Sequence, residues 1–357
     1  MSALSIILSS VYLLIGSGVS SDKEGIRVYE FDEETATTVY VSGVKGLSNP
    51  SFFCSSRNGK FVYAVGESGE EKSTASSLSF DKKEGRLELL NTQQVHASGP
   101  CNIILTPRED FVYTSNYFGG SLTQLRVLPD GRLGETELVP FSGSSIVPDR
   151  QGKPYLHAVN FTPDKRFLMA NDLGTDKIHV FPLCKATATN SPLDKKNAFD
   201  VDLKPGMGPR HLCWSPDGKM AYVIGELSGE VSSIQYKDKK LTVVQTIMAD
   251  EFNGAGSADI HISPDGRFVY ASHRLKGDGI SIMEVQPDGT LRKVGYKATG
   301  IHPRNFTLSP DGHYVLVACR DDGRVEIYKR DTKTGLLSNT GRRIDVPTPL
   351  CLKWIEK

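Results

Sequence analysis

Apolar residues along this chain come in runs of about five, broken by turn formers, which is the pattern of buried strands and not of helices. The stretch after Arg210 shows the unit. His211–Ser215 is short and largely apolar, Pro216-Asp217-Gly218 turns the chain, and Met220–Gly225 is a second apolar, β-rich run. Asp-Gly favours a tight hairpin because glycine accepts positive φ. Glu226–Glu230 is then a loop, Val231–Tyr236 alternates as a third strand, Lys237–Lys239 turns, and Leu241–Thr246 is a fourth. The third-to-fourth turn recurs as Pro129-Asp130-Gly131, Pro287-Asp288-Gly289 and Thr334-Gly335.

The unit repeats. Arg210–Leu227 nearly superimposes on Ala258–Leu275 and Arg304–Asp321, with weaker copies at Ser51–Ser68, Cys101–Phe118 and His157–Gly174. A period of about 50 residues points to a propeller or solenoid, and four antiparallel strands per unit make a propeller blade. A seventh first strand, Pro349–Trp354, ends the chain without a partner after it, while Val11–Gly16, Gly25–Phe31 and Thr38–Gly43 supply the missing three. The expectation is an all-β, seven-bladed β-propeller with four antiparallel strands per blade, the ring closed by N- and C-terminal strands sharing one blade, and residues 1–357 forming a single domain. Ser5–Gly18 also resembles the apolar core of a signal peptide, but no positive stretch precedes it and the repeat needs Val11–Ile15 as a strand. Met1–Ser10 stay open between the two readings. No run is long enough for a spanning helix.

Lys plus Arg and Asp plus Glu both total 42, so the net charge is zero. That argues against nucleic acid or an anionic membrane as the main partner. Five of the six cysteines fall in expected strands and none forms a CxxC. They read as small buried thiols of a cytoplasmic protein. A closed ring has no sheet edge to cover, so a monomer or weak homodimer is expected. Pro140–Tyr155 and Leu183–Met207 lie outside the repeat and both precede a first strand. Both are therefore expected at the end of the ring where first strands begin, where long loops shape binding sites.

The start of a first strand and the end of the second lie side by side in an antiparallel hairpin. Arg210 and Glu226 hold these two places and should meet at one mouth of the central channel. Across the repeats the first column reads Ser51, Cys101, His157, Arg210, Ala258, Arg304 and Leu350, and the second Glu67, Tyr117, Leu173, Glu226, Arg274 and Arg320. His211, His273, His302, Asn116 and Asp172 lie nearby. Arginines fork onto carboxylate or phosphate, a carboxylate or histidine among them can act as general base, and the arginines can stabilise an oxyanion. The plain alternative is that such charges are solvated or pair across blades. His179, His261 and His313 stand outside the columns and read as surface or strand residues; Met207 and Trp214 read as packing. Tyr117 and Phe118 either wall the pocket or fill the ring. No metal-binding, dinucleotide-binding or nucleophile-elbow motif is present, so neither metal nor cofactor is expected.

Gly208–Leu227, Tyr113–Leu122, His157–Asp164, Tyr270–Arg274, Gly300–Ala318 and the opening Tyr12–Gly18 with Gly25–Asp32 carry a resemblance over essentially the whole chain. The chain resembles the seven-bladed propeller lactonases, the family of bacterial 6-phosphogluconolactonase and fungal carboxy-cis,cis-muconate cyclase. The Gly-Pro-Arg-His segment with Glu226 downstream is the specific part. The resemblance implies lactone chemistry without a metal, with His157, Arg210, Glu226 and Arg274 as catalytic residues and His211 beside them. These positions stand in the two columns, where Arg304, Arg320, Tyr117 and Glu67 join His211 as substrate-binding candidates. The chain departs from the pattern at Ala258, which is apolar, and at His273, where asparagine is expected before arginine. The leading expectation is hydrolysis of a small-molecule sugar-phosphate lactone, 6-phosphoglucono-1,5-lactone. The alternatives are a muconate-type cyclising or lactone-opening enzyme and a non-enzymatic propeller that binds a ligand or protein.

Overall fold

The computed structural model describes residues 10–69, 72–184 and 191–357, which fold into seven four-stranded antiparallel sheets. Within each of six sheets the strands pair in chain order, as in Pro209–Trp214, Met220–Gly225, Glu230–Lys237 and Lys240–Met248. Numbered from the sheet that begins at Phe53, this is blade 4. Blade 7 has the order Pro349–Ile355, Ser10–Ser17, Ile26–Asp32, Thr38–Val44, so the two ends of the chain share it as expected. Gly16 pairs with Cys351 and Ile15 with Leu352. Residues 1–9, on which most of the open N-terminal reading falls, lie outside the described residues.

The strands read as continuous apolar runs because both faces of each sheet are covered. Every residue of Met220–Gly225 is buried. Seven apolar clusters form, each between two neighbouring blades. Met169, Ile178 and Val180 of blade 3 meet Leu212, Ala221 and Val223 of blade 4. Leu13, Ile15 and Phe31 of blade 7 meet Leu316, Ala318 and Ile327 of blade 6, so the shared blade is packed like the rest.

First strands run from one end of the ring, the mouth, to the other, the foot. At the foot the Ser-Pro-Asp-Gly turns repeat in detail. Gly218 donates to the Ser215 carbonyl, Ser215 Oγ donates to Asp217 at 2.7 Å, and Gly218 sits at φ +70°. Glu109 and Lys165 hold that left-handed position in two of the weaker copies, both at φ +60°, and Gly59 holds it in the third at φ +69°.

Leu183–Met207 corrects the sequence expectation. Phe199–Asp202 is the fourth strand of blade 3 and pairs with Lys177–Val180, so Leu183 and its bridge partner Leu193 lie at the foot between a third strand and a fourth, while residues 185–190 of this segment lie outside the described residues. The strand is hidden in the sequence because only Val201 of its four residues is buried, which leaves no apolar run. Pro140–Tyr155 does lie at the mouth and carries a short helix, Pro148–Gln151.

Candidate active site at the mouth of the ring

First strands enter the channel through a recurring device. Asn49, Gly99, Gly208, His302 and Thr348 each precede a proline and each has positive φ. The residue after the proline is the one in the first column. In blades 2, 3 and 6 the first-column residue, Cys101, His157 or Arg304, is the extra one in a register shift against the second strand, although no proline precedes His157, and in blade 4 the shift spans Arg210 and His211. Bulges re-aim side chains, and here they turn these four column residues into the mouth. They line a pocket of about 340 Å³ with Glu67, Tyr117, Phe118, Arg150, Glu226 and Arg274.

Glu226 is the centre of the charge cluster. Its Oε2 accepts from Arg210 Nε at 2.8 Å and lies 3.4 Å from Arg274 Nη2 and 3.8 Å from His157 Nε2. Its Oε1 accepts from Arg150 Nη2 at 2.7 Å. Two of the arginines are held by backbone: Arg210 Nη1 donates to the Ala258 carbonyl and Arg274 Nε to that of Gly256, both at 2.6 Å. Ala258, the apolar gap in the first column, thus serves through its carbonyl. Arg304 faces Glu67 at 3.4 Å. Tyr117 accepts from Arg150 at 3.1 Å and its ring packs edge-on against His157.

Burial works to raise the Glu226 carboxyl, but the charges of Arg274, Arg210 and Arg150 outweigh it and hold it at about 2. Burial, with Arg210, His211 and Arg304, keeps His157 neutral, well below its ordinary value. Burial and the Arg210 charge lower Arg274 to about 9, against the pull of Glu226, so it stays charged at neutral pH. Four arginines face two carboxylates in this pocket, which leaves two positive charges in excess. An anion is the fitting guest.

The remaining expected residues are close but differently engaged. His211 lies below the mouth, in the channel. Its Nδ1 donates to Asp259 at 2.7 Å, and its ring stands edge-on to that of His157. Burial and Arg210 lower it to about 4 against Asp259, so the carboxylate is the charged partner. His261 also bonds Asp259, at 3.0 Å, and lines the channel. Arg320 is turned onto Asp321 at the rim, at 2.6 Å, outside the pocket wall. His302 bridges the two regions, accepting from Arg274 Nη1 at 3.2 Å and facing Asp321 at 3.4 Å.

His273 and Asn116 are buried within their own blades, bonded to Ser257 and Ser281 and to Ser121 and Thr123. Asp172 caps the backbone of Tyr155 and Gly174. Trp214 packs on Tyr236, and Met207 is core. Arg150 was not singled out from the sequence. Its signal was only its place in an insert expected at the mouth, and no repeat column points to a residue outside the repeat.

The match to the family described as lactonase, 7-bladed beta-propeller, runs over residues 12–354. A 6-phosphogluconolactonase of Formosa agariphila is 35% identical over 92% of this chain and 96% of its own length. A crystal structure from Bacteroides fragilis superimposes with a TM-score of 0.94 at 43% identity, over 99% of both chains. The periplasmic gluconolactonase of Pseudomonas aeruginosa superimposes with a TM-score of 0.90 at 30% identity, over 97% of this chain and 99% of that one.

Proposed function

The chain belongs to the seven-bladed β-propeller lactonases, and from that premise we propose that it hydrolyses 6-phosphoglucono-1,5-lactone to 6-phosphogluconate, in the oxidative pentose phosphate pathway. The observation that carries this reading is the pocket around Glu226, a buried carboxylate among arginines with positive charge to spare. A lactone carbonyl needs donors where its oxygen gains charge, and a phosphate needs cations. The pocket offers both.

In this reading water stands against Glu226 or His157, and the one that acts as base receives its proton as hydroxide adds to the carbonyl carbon. The oxyanion is met by donors of Arg210 and Arg274, which their backbone anchors hold in place before the reaction begins. The ring C–O bond then breaks, the leaving oxygen takes the proton back, and the carboxylic acid product releases its own proton to solvent. Arg304 adds charge for the phosphate, Arg320 stays at the rim on Asp321, Tyr117 and Glu67 wall the pocket, and His211 supports Arg210 from below. Sugar lactones open readily in water, so positioned charges suffice without metal or cofactor. The phosphorylated substrate goes with a cytoplasmic enzyme that works as one domain, as a monomer or weak homodimer.

A second reading, hydrolysis of an unphosphorylated sugar lactone, is favoured by the likeness to the Pseudomonas aeruginosa periplasmic gluconolactonase. Among the described residues no helix is long and apolar enough to cross a membrane. The test is lactone loss with purified protein and freshly made 6-phosphoglucono-1,5-lactone or glucono-1,5-lactone. The first reading predicts kcat/KM at least about 100-fold higher for the phosphorylated lactone, worth roughly 3 kcal/mol. Equal or reversed values favour the second, and background rates for both overturn the two together.

A further inference from the structure

The arginines around Glu226 are of two kinds. The side chains of Arg210 and Arg274 are 2% and 7% exposed and tied to backbone carbonyls. Arg150 is 39% exposed, and its recorded partners are both side chains, Glu226 and Tyr117. It is also the one member of the cluster that comes from the insert and not from a blade. The insert itself is fastened. Gln151 Nε2 donates to the Leu173 carbonyl at 2.8 Å, Ser145 Oγ donates to Asp176 at 2.5 Å, and Val147 N donates to Gln151 Oε1 at 3.1 Å. The backbone is therefore held while the Arg150 side chain is free to turn.

Glu226 meanwhile is over-satisfied. Three arginines neutralise one carboxylate, and a carboxylate so held is a poor base. Catalysis by this residue needs one of them to leave. Arg210 and Arg274 cannot leave without stranding a buried carbonyl, whereas Arg150 can exchange one anion for another at the open side of the pocket. A phosphate dianion offers it more charge and more acceptor oxygens than the Glu226 carboxylate does.

We infer that Arg150 is a specificity-determining residue that passes from Glu226 to the phosphate of the incoming lactone, so that the substrate's own anion frees Glu226 to act on water. This rests on the lactonase reading above. The groups facing Glu226 as the exchange occurs are Arg210 and His157 from first strands, Arg274 just after the second strand Phe268–His273, and Tyr117 beside the insert. None of them need move. The phosphate then contributes to kcat as well as to KM, because it changes the base and does not only anchor the substrate.

The test separates phosphate from lactone. Glucono-1,5-lactone is hydrolysed with and without inorganic phosphite dianion, by the wild-type enzyme and by Arg150→Gln, with 6-phosphoglucono-1,5-lactone run alongside and folding checked by thermal melting. The inference predicts that phosphite raises the wild-type rate on the unphosphorylated lactone at least about tenfold, that Arg150→Gln abolishes this activation, and that the variant's preference for the phosphorylated lactone falls about 100-fold. Arg150→Lys, which keeps the charge and loses the fork, should recover part of the activation. If Arg150→Gln lowers both lactones equally, or phosphite activates it as it does the wild type, Arg150 is merely structural and the inference fails. If wild type prefers the unphosphorylated lactone and ignores phosphite, the inference fails while a lactonase stands. If neither lactone is hydrolysed above background, it is the proposed function that has failed.

Discussion

At the foot of blades 4, 5 and 6 the chain makes the same turn three times, with Ser215, Ser263 and Ser309 donating to Asp217, Asp265 and Asp311 and a left-handed glycine after each. At the mouth the same strands start at Arg210, Ala258 and Arg304, an apolar residue and two arginines that hold different partners, Glu226 and Glu67. The backbone is shared and the purposes differ. The foot joins two strands, for which one solution serves every blade. The mouth gathers buried charges from several blades into one cluster, which requires each blade to contribute something different. The contrast also separates stability from chemistry. A change at the foot should cost folding free energy and leave turnover alone, whereas a change at the mouth should cost both, because its charges are buried and are the ones proposed to react.

The largest effect expected is at the mouth. Arg210→Ala removes a donor from the proposed carbonyl site and leaves Glu226 short of its closest buried partner. Kinetics should show kcat/KM down about 10²–10³-fold, with melting lowered by the roughly 3 kcal/mol typical of one half of a broken buried pair.

Acid should discriminate the two ends next. His211 and His302 are held near 4 and 3, by burial and by arginines close to each, so both are neutral when folded and take up a proton on unfolding below about 6.5. Their stabilising effect is present above that pH and is lost as pH falls towards those values, at about 1.4 kcal/mol per pH unit for each. Melting from pH 7 to 4.5 should show this slope, and His302→Asn should flatten it.

At the foot, Gly218→Ala puts a Cβ at φ +70° and 2.8 Å from Pro163 Cβ. It should cost about 1–3 kcal/mol in denaturant unfolding and leave kcat/KM of the folded enzyme unchanged. The smallest effect has the opposite sign. Lys165→Gly relieves a left-handed lysine at φ +60° and should stabilise by about 0.5–1 kcal/mol.

The ring was legible because the foot repeats. Pro-Asp-Gly marks the hairpins, and the apolar runs between them report sheets covered on both faces. Much of the mouth was legible for the converse reason: once the blades are aligned, Arg210, Glu226, His157 and Arg274 stand out as departures, and antiparallel pairing places them together. Four things escaped. Phe199–Asp202 is an outermost strand with one buried residue, and so carries no apolar signal. The register shifts that turn His157 and Arg304 inward are properties of backbone pairing and leave no mark on residue type. Arg150 belongs to an insert whose fastening by Ser145 and Gln151 exists only in three dimensions. The division between pocket and channel was also invisible, so His211 could be placed beside Arg210 without the Asp259 that holds it from below.

The central claim, that the mouth carries the chemistry and the foot only the fold, is tested most directly by one side-by-side assay. Loss of 6-phosphoglucono-1,5-lactone is followed with wild type, Glu226→Gln and Gly218→Ala at equal concentrations of folded protein. The account predicts wild-type rates for Gly218→Ala and a fall of about 10³-fold for Glu226→Gln; turnover retained by Glu226→Gln, or lost in folded Gly218→Ala, would contradict it.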